Sequence, residues 1–382
     1  MFFENNAKLQ EFITNFANSF GTKSPNMTGK RYFLLLFVLA MTLCADAQDA
    51  VLLRQHNMKK WGVPAGNYSG ITCIGGNKYA LVSDKQEADG WHEVTIDFKE
   101  SGDIRSMTYN GFRFDEASRG KARDAEGIVF TNEGTVFVAA EQDQRIIEHD
   151  ILGKKTNREL AIPDIFGTQN IYSNYGFEAL AYDRGAGQFW TTTEQGLRSD
   201  MPDEAKYPHL HAIDVRLQCF SPHLQPLYQL AYRTDEPVTQ RNTAFYAYGV
   251  PEITVLNDSI LLVMERELSV PKGYNNSFCV NKIYMVNVRS ASKIDAETSL
   301  QVLDSEAFAK KRLLTEFRTM IKYVGKKNFA NYEGMCLGPR LADGSQTLLL
   351  LADSQNRTGN SLFHLKDYIR VVVIKTEMNN GM

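Results

Sequence analysis

Asp124-Ala-Glu-Gly-Ile-Val-Phe130, a polar turn at Thr131-Asn-Glu-Gly-Thr135, and then Val136-Phe-Val-Ala-Ala-Glu141 together carry the reading of the fold. A small or acidic residue opens an apolar run, a turn reverses the chain, and a second apolar run ends on a carboxylate. Two short apolar runs around a Gly-containing turn are the signature of a β-hairpin. The same statement recurs four more times. Tyr68-Ser-Gly-Ile-Thr-Cys-Ile74 precedes Tyr79–Asp84, and Gly176-Phe-Glu-Ala-Leu-Ala-Tyr182 precedes Phe189–Glu194. Val250-Pro-Glu-Ile-Thr-Val-Leu256 precedes Ile260–Glu265, and Asn331-Tyr-Glu-Gly-Met-Cys-Leu337 precedes Leu348–Asp353. From the key positions Gly70, Glu126, Glu178, Glu252 and Glu333, the closing carboxylates Asp84, Glu141, Glu194, Glu265 and Asp353 lie 13 to 20 residues on.

Further strand-like runs follow each pair at Trp91–Phe98, Arg145–His149, His211–Val215, Lys282–Val288 and Tyr368–Ile374. Units of three or four antiparallel strands repeated along the chain predict an all-β protein, a β-propeller with five visible blade repeats. The long unit from 245 to 320 leaves room for a sixth blade. Helical spacing occurs only weakly, at Ser305–Arg318. The last unit has three strands and then the chain ends, so Ala50-Val-Leu-Leu-Arg54 is expected to supply its fourth and close the ring.

Composition is consistent with this. The 382 residues are 43% hydrophobic and 11% aromatic, with 17 Tyr and 22 Phe, an excess suited to strands. Basic residues number 42 against 45 acidic, so no cationic surplus exists to neutralise a phosphate backbone, and a nucleic-acid partner is not expected. Lys30-Arg31 precede an apolar run, Tyr32–Leu43, and Ala45-Asp46-Ala47 offers a small-x-small cleavage site. The run is too short to span a bilayer, so residues 1–47 read as an extension and secretory signal peptide with translation starting at Met27. Residues 48–382 are then one secreted or periplasmic domain with no membrane span. Its cysteines, Cys73, Cys219, Cys279 and Cys336, have no metal or redox spacing and are expected as buried thiols.

At Asp124-Ala-Glu-Gly-Ile, Val138-Ala-Ala-Glu-Gln, Phe177-Glu-Ala-Leu-Ala, Thr193-Glu194, Tyr332-Glu-Gly-Met and Leu351-Ala-Asp-Ser the sequence resembles the phytase-like family, described as carrying esterase-like activity. The resemblance spans about residues 60–375. It implies a secreted or periplasmic bacterial propeller that hydrolyses phosphate esters or related esters. The sequence departs from the pattern at Gly70 and at Pro251-Glu-Ile, so those two blades are expected to contribute less.

Innermost propeller strands line the axis, so Glu126, Glu178, Glu252 and Glu333 are expected to converge near one mouth of the channel. Clustered carboxylates repel one another and raise their own pKa values unless a cation joins them. An all-oxygen set without nearby Cys or His suits Ca²⁺, with Mg²⁺ as the alternative. Such an ion polarises an ester oxygen, and Glu126, Glu178 or Glu333 is the candidate base. The structural reading is that each Glu bonds backbone N–H groups or an arginine and braces the ring. Bracing is also expected of the closing carboxylates, with Arg145, Arg198, Arg266 or Arg357 as partners, while Lys85, Arg123 and Arg266 are available for an anionic substrate. His209 and His211 share a strand face but lack a third zinc ligand. Trp61, Trp91 and Trp190 are expected in blade packing. No nucleophile elbow, P-loop or dinucleotide fingerprint is present. Two rival functions stand beside the metal-assisted hydrolase: a propeller that binds a ligand or partner without catalysis, and a calcium-dependent lactonase-type propeller.

Overall fold

Both faces of the second strand in each repeat are buried. Val136–Ala140 and Gln346–Asp353 have no exposed residue. A strand covered on both faces reads as a continuous apolar run, which is why Val-Phe-Val-Ala-Ala and Thr-Leu-Leu-Leu-Leu-Ala stand there. The computed structural model describes residues 49–201, 211–239, 243–322, 324–325, 327–357, 359–360 and 363–375. The proposed signal segment, Met27 and His209 lie outside them. Residues 49–382 form one compact unit.

Five antiparallel sheets make five blades. Blade 1 runs Tyr68–Gly75, Lys78–Ser83, Gly90–Phe98 and Ile104–Phe114, and blade 2 runs Ala125–Phe130, Val136–Ala140, Arg145–His149 and Lys155–Glu159. Blade 3 runs Phe177–Asp183, Gln188–Thr193, Asp214–Phe220 and Pro226–Arg233, and blade 4 runs Phe245–Asn257, Ile260–Val270, Phe278–Asn287 and Lys311–Met320. Blade 5 takes Asn331–Arg340, Gln346–Asp353 and Tyr368–Ile374 from the C-terminal end, and its outer strand is Ala50–Leu52. Ala50 pairs with Ile374 and Leu52 with Val372, the ring closure expected from the sequence.

Among the described residues there is no sixth blade. The extra length between 288 and 310 reaches back to blade 3, where Lys293–Ile294 adds a fifth strand to the outer edge. The weak helical spacing at 305–318 resolves into a 3₁₀ turn, Ser305–Ala307, and the strand Lys311–Met320. The third strand of blade 3 begins at Asp214, three residues later than His211.

The apolar core is five slabs between neighbouring blades. Ala80, Trp91, Ile128 and Val138 fill the first gap, and Phe137, Phe166, Phe177 and Phe189 the second. Leu217, Ile253 and Val263 fill the third, Met264, Tyr332 and Leu350 the fourth, and Tyr68, Tyr79, Leu349 and Val371 the last, which joins blade 5 to blade 1. Trp91 and Trp190 are packed in these slabs, as expected. The outermost strand of blade 2, Lys155–Glu159, is polar and largely exposed, which discourages edge pairing. The four cysteines among the described residues are unpaired thiols, three of them buried as expected and Cys73 half-buried, and burial pushes Cys219 and Cys279 up to about 12.

Candidate functional site

In every blade the pairing of the first strand with the second slips by one residue near the start of the first strand. The slips fall between Tyr68 and Ile71, Ala125 and Gly127, Phe177 and Ala179, Gly249 and Glu252, and Tyr332 and Gly334. A bulge leaves one residue without an opposite partner and re-aims its side chain. That residue is Glu126 in blade 2, Glu178 in blade 3 and Glu333 in blade 5. The residue after it must be small, because the next blade's backbone stands against it. A Cβ on Gly127 would lie 2.7 Å from Glu178 O, and on Gly334 2.6 Å from Ser69 O. Gly70, whose Cβ would meet Glu126 O at 2.3 Å, has the same neighbour, so the bulge position of blade 1 is Ser69 rather than Gly70. In blade 4 the register puts Val250 at the bulge and Glu267, opposite Tyr248, at the closing place; Glu252 and Glu265 are each two residues away.

One metal-sized group forms among the described residues. Carboxylate oxygens of Asp84, Asp124 and Glu126 all lie within 4.8 Å of one another. Asp84 directly follows the second strand of blade 1, and Glu126 is the bulge residue of blade 2. Asp124, just before that strand, sits in the left-handed region at φ 61°. Asp tolerates that conformation at a cost, and such strain concentrates at functional sites. Lys85 Nζ is 2.7 Å from Asp84 and 3.3 Å from Asp124. Asp84 Oδ1 is buried without a hydrogen-bond partner. Burial raises the Asp84 carboxyl, Lys85 opposes this, and Asp124 adds to the rise. Burial and then the Asp84 charge push Glu126 well above the usual carboxylate range. A buried carboxylate oxygen with no donor, in an all-oxygen set, fits a hard divalent cation.

Glu178 and Glu333 face a different neighbour. Arg266, on the second strand of blade 4, places Nη2 2.5 Å from Glu194 Oε1 and 3.1 Å from Glu333 Oε1. Burial raises both Glu178 and Glu333; the charges of Glu194 and Glu126 add to the first, and Arg266 opposes the rise of the second. Glu252 lies apart from this group. Its Oε1 accepts from Leu180 N at 3.1 Å and from Ile253 N at 3.0 Å, so it ties blade 4 to blade 3 deep in the channel. Three of the four expected glutamates therefore gather at one end, and Asp84, Asp124 and Arg266 complete the group.

A cleft of about 790 Å³ opens above the Asp84 corner. It is lined by Asp84, Lys85, Asp124, Glu141, Gln142, Gln144, Tyr172, Asn174 and Arg198. Glu141 Oε1 accepts from Gly176 N at 2.8 Å, which braces blade 2 against the lead-in to blade 3. Burial nevertheless pushes Glu141 up to about 7, with Glu194 and Asp124 adding to the rise. Arg198 stacks over the Tyr172 ring at 4.1 Å. Arg123, read from sequence as available for a substrate, is instead buried against Asp89 at 2.8 Å. The far end of the channel is a smaller cavity of about 330 Å³, lined mainly by apolar side chains such as Ile71, Ile128, Leu180, Leu256 and Leu337.

The sequence matches the phytase-like family, described as "Esterase-like activity of phytase", over residues 63–355. The chain belongs to the phytase-like family. The match takes in the bulge glutamates of blades 2, 3 and 5 together with Asp84 and Asp124. Comparison with curated proteins finds no match. Among solved structures, a virginiamycin B lyase from Staphylococcus aureus is 12% identical, with 85% of this chain and 99% of that one covered and a TM-score of 0.33. A gluconolactonase from Xanthomonas campestris is 11% identical, with 87% and 92% covered and a TM-score of 0.33. A luciferin-regenerating enzyme is 11% identical, with 84% and 95% covered and a TM-score of 0.39. At these scores the likenesses lend nothing to the site of this phytase-like propeller, whose five blades follow from its own strand order.

Proposed function

We propose that this phytase-like propeller is a metal-assisted hydrolase of small esters, phosphate esters first, working at the cleft over blades 1 and 2. The observation that carries the reading is the convergence of Asp84, Asp124 and Glu126, with a donorless Asp84 oxygen, the first two lining that cleft. These three residues would hold Ca²⁺, or Mg²⁺ in its place. Bound there, the ion supplies Lewis acidity to an ester oxygen and acidifies water. The chain's own residues do the rest. Lys85 and Arg198 put positive charge on the cleft wall, where an anionic ester is drawn in and oriented. Glu141 lines the same wall, and a carboxyl titrating at about 7 can accept a proton from water and return it to a leaving oxygen near neutral pH. The Tyr172 ring gives the cleft an apolar face. Glu178 and Glu333 lie around Arg266 and set the charge against which the ion binds.

The same reading places the mature chain in the periplasm or outside the cell, supported by the basic, apolar and small-residue order of residues 30–47. An exported chain beginning at Gln48 is the expected result of N-terminal sequencing, and a chain that keeps residues 30–47 contradicts it. Among the described residues no helix is long and apolar enough to cross a membrane.

The test is turnover by the chelator-stripped chain, with and without added Ca²⁺ or Mg²⁺, on an aryl phosphate, an aryl acetate and a lactone. Cation-dependent release of aryl alcohol from the phosphate is expected, with loss of about 100-fold or more in Glu141→Gln. Turnover of the lactone alone would favour the lactonase-type reading. No turnover of any substrate, with the ion bound, leaves a propeller that binds without catalysis.

A further inference from the structure

The five bulge positions form a ring of Ser69, Glu126, Glu178, Val250 and Glu333, acidic in three blades. Blade 4 breaks the pattern twice at one level. Its bulge residue is apolar, and opposite Gly249 its second strand carries Arg266, where the other blades carry the small residues Ser83, Ala140, Thr193 and Ala352. A single guanidinium thus enters a ring of carboxylates from blade 4, one of the two blades whose bulge residue is not acidic.

The contacts of Arg266 differ from those of a bracing arginine in this same protein. Arg216 is also fully buried, and it grips Asp200 through Nε and Nη2 and bonds Gln229 and two carbonyl oxygens with the remaining donors. Arg266 is equally buried, but its Nε has no hydrogen-bond partner, and one nitrogen, Nη2, serves both Glu194 and Glu333. The fork geometry that makes arginine a good brace is unused; what the site takes from it is charge at one point. That point lies 2.5 and 3.1 Å from oxygens of two carboxylates on two blades, the first within and the second about half an ångström beyond the 2.3–2.6 Å at which calcium holds oxygen.

We propose that Arg266 is a resident cation occupying the place of a second divalent ion, so that the channel mouth takes one ion, at the Asp84 corner, and no more. The inference rests on the metal reading above for that first ion, and on the blade-4 geometry for the second. Arg266 is thereby the residue that sets the metal stoichiometry of the propeller.

Calcium binding to the chelator-stripped full chain, followed by titration calorimetry and native mass spectrometry, tests this without reference to activity. The wild-type chain is expected to bind one Ca²⁺ and Arg266→Met two, with Arg266→Met/Glu333→Gln returning to one and Arg266→Lys remaining at one. Should the methionine variant fail to fold without calcium, Arg266→Met/Glu178→Gln keeps the wild-type net charge, leaves Glu194 and Glu333 free, and is expected to bind two. One ion in both the wild type and a folded methionine variant overturns the role of Arg266. No ion in the wild type but one in Arg266→Met sinks the reading of the Asp84 corner while upholding Arg266. No ion in either overturns both.

Discussion

Glu126, Glu141 and Glu333 share a physical condition: burial holds each carboxyl above its ordinary range in the folded chain. A carboxyl raised by folding keeps a proton that the unfolded chain has released, so stability falls as pH rises from the unfolded value of roughly 4.3 through the folded one. The cation-free chain is therefore expected to melt several degrees lower at pH 7.5 than at pH 5, and calcium is expected to restore the loss at pH 7.5. Calorimetric scans in chelator and in calcium check this, and a melting temperature that climbs with pH in chelator contradicts it. Glu126→Gln removes one of the repelling charges. In chelator at pH 7.5 it should melt above the wild type, yet gain little from added calcium. Asp200 presents the opposite case, a carboxylate paired at 2.6 and 2.8 Å with Arg216 and shut off from water. Asp200→Asn should cost about 3–5 kcal/mol in denaturant unfolding, because it leaves the guanidinium buried against a neutral partner. A cost near zero would mean that the pair is not closed from solvent.

At the scale of the strand, the bulge is what turns an Asp-x-Glu-Gly sequence into a site. The glutamate is freed from the ladder, and the glycine after it lets the next blade's backbone approach. Gly127→Ala would press a methyl against Glu178 O at 2.7 Å, and backbone cannot step aside as a flexible side chain can. The expected cost is about 1–3 kcal/mol in denaturant unfolding, accompanied by weaker calcium binding as Glu126 is displaced. A neutral result would show that the approach is looser than described. The hairpins, their order and the acidic positions were legible in the sequence because apolar runs and turn residues mark them directly. The bulges were not, since a one-residue slip leaves no trace in composition. In blade 4 the Glu252 and Glu265 pair mimics the repeat two residues out of step, while Val250 and Arg266 hold the equivalent level. Asp124 was visible as the residue two before Glu126, but its left-handed backbone, which brings it to Asp84, is a property of the folded turn.

Across the whole molecule, the ring closes through Ala50–Leu52, a strand far from its partners in sequence. His56 adds a second tie, its Nε2 2.8 Å from Asp103 Oδ1 in blade 1. Without this closure blade 5 keeps a bare edge, and the slab between blades 4 and 5, which Ala50 and Leu52 pack against, loses part of its cover. A chain starting after Arg54 should melt far below one starting at Gln48, in a broader transition, and self-associate; an unchanged, single sharp melt in calorimetry would show that closure is dispensable. The closed ring also carries the function, because residues of blades 1 and 2 meet at the candidate metal corner only while the blades hold their places. The most direct measurement is anomalous diffraction from a crystal of the full mature chain soaked in Mn²⁺ as a stand-in for calcium. The expected result is one peak bounded by Asp84, Asp124 and Glu126, absent in Glu126→Gln. No peak at that corner at saturating Mn²⁺, or a peak elsewhere with the three carboxylates unengaged, would contradict the assignment of the site.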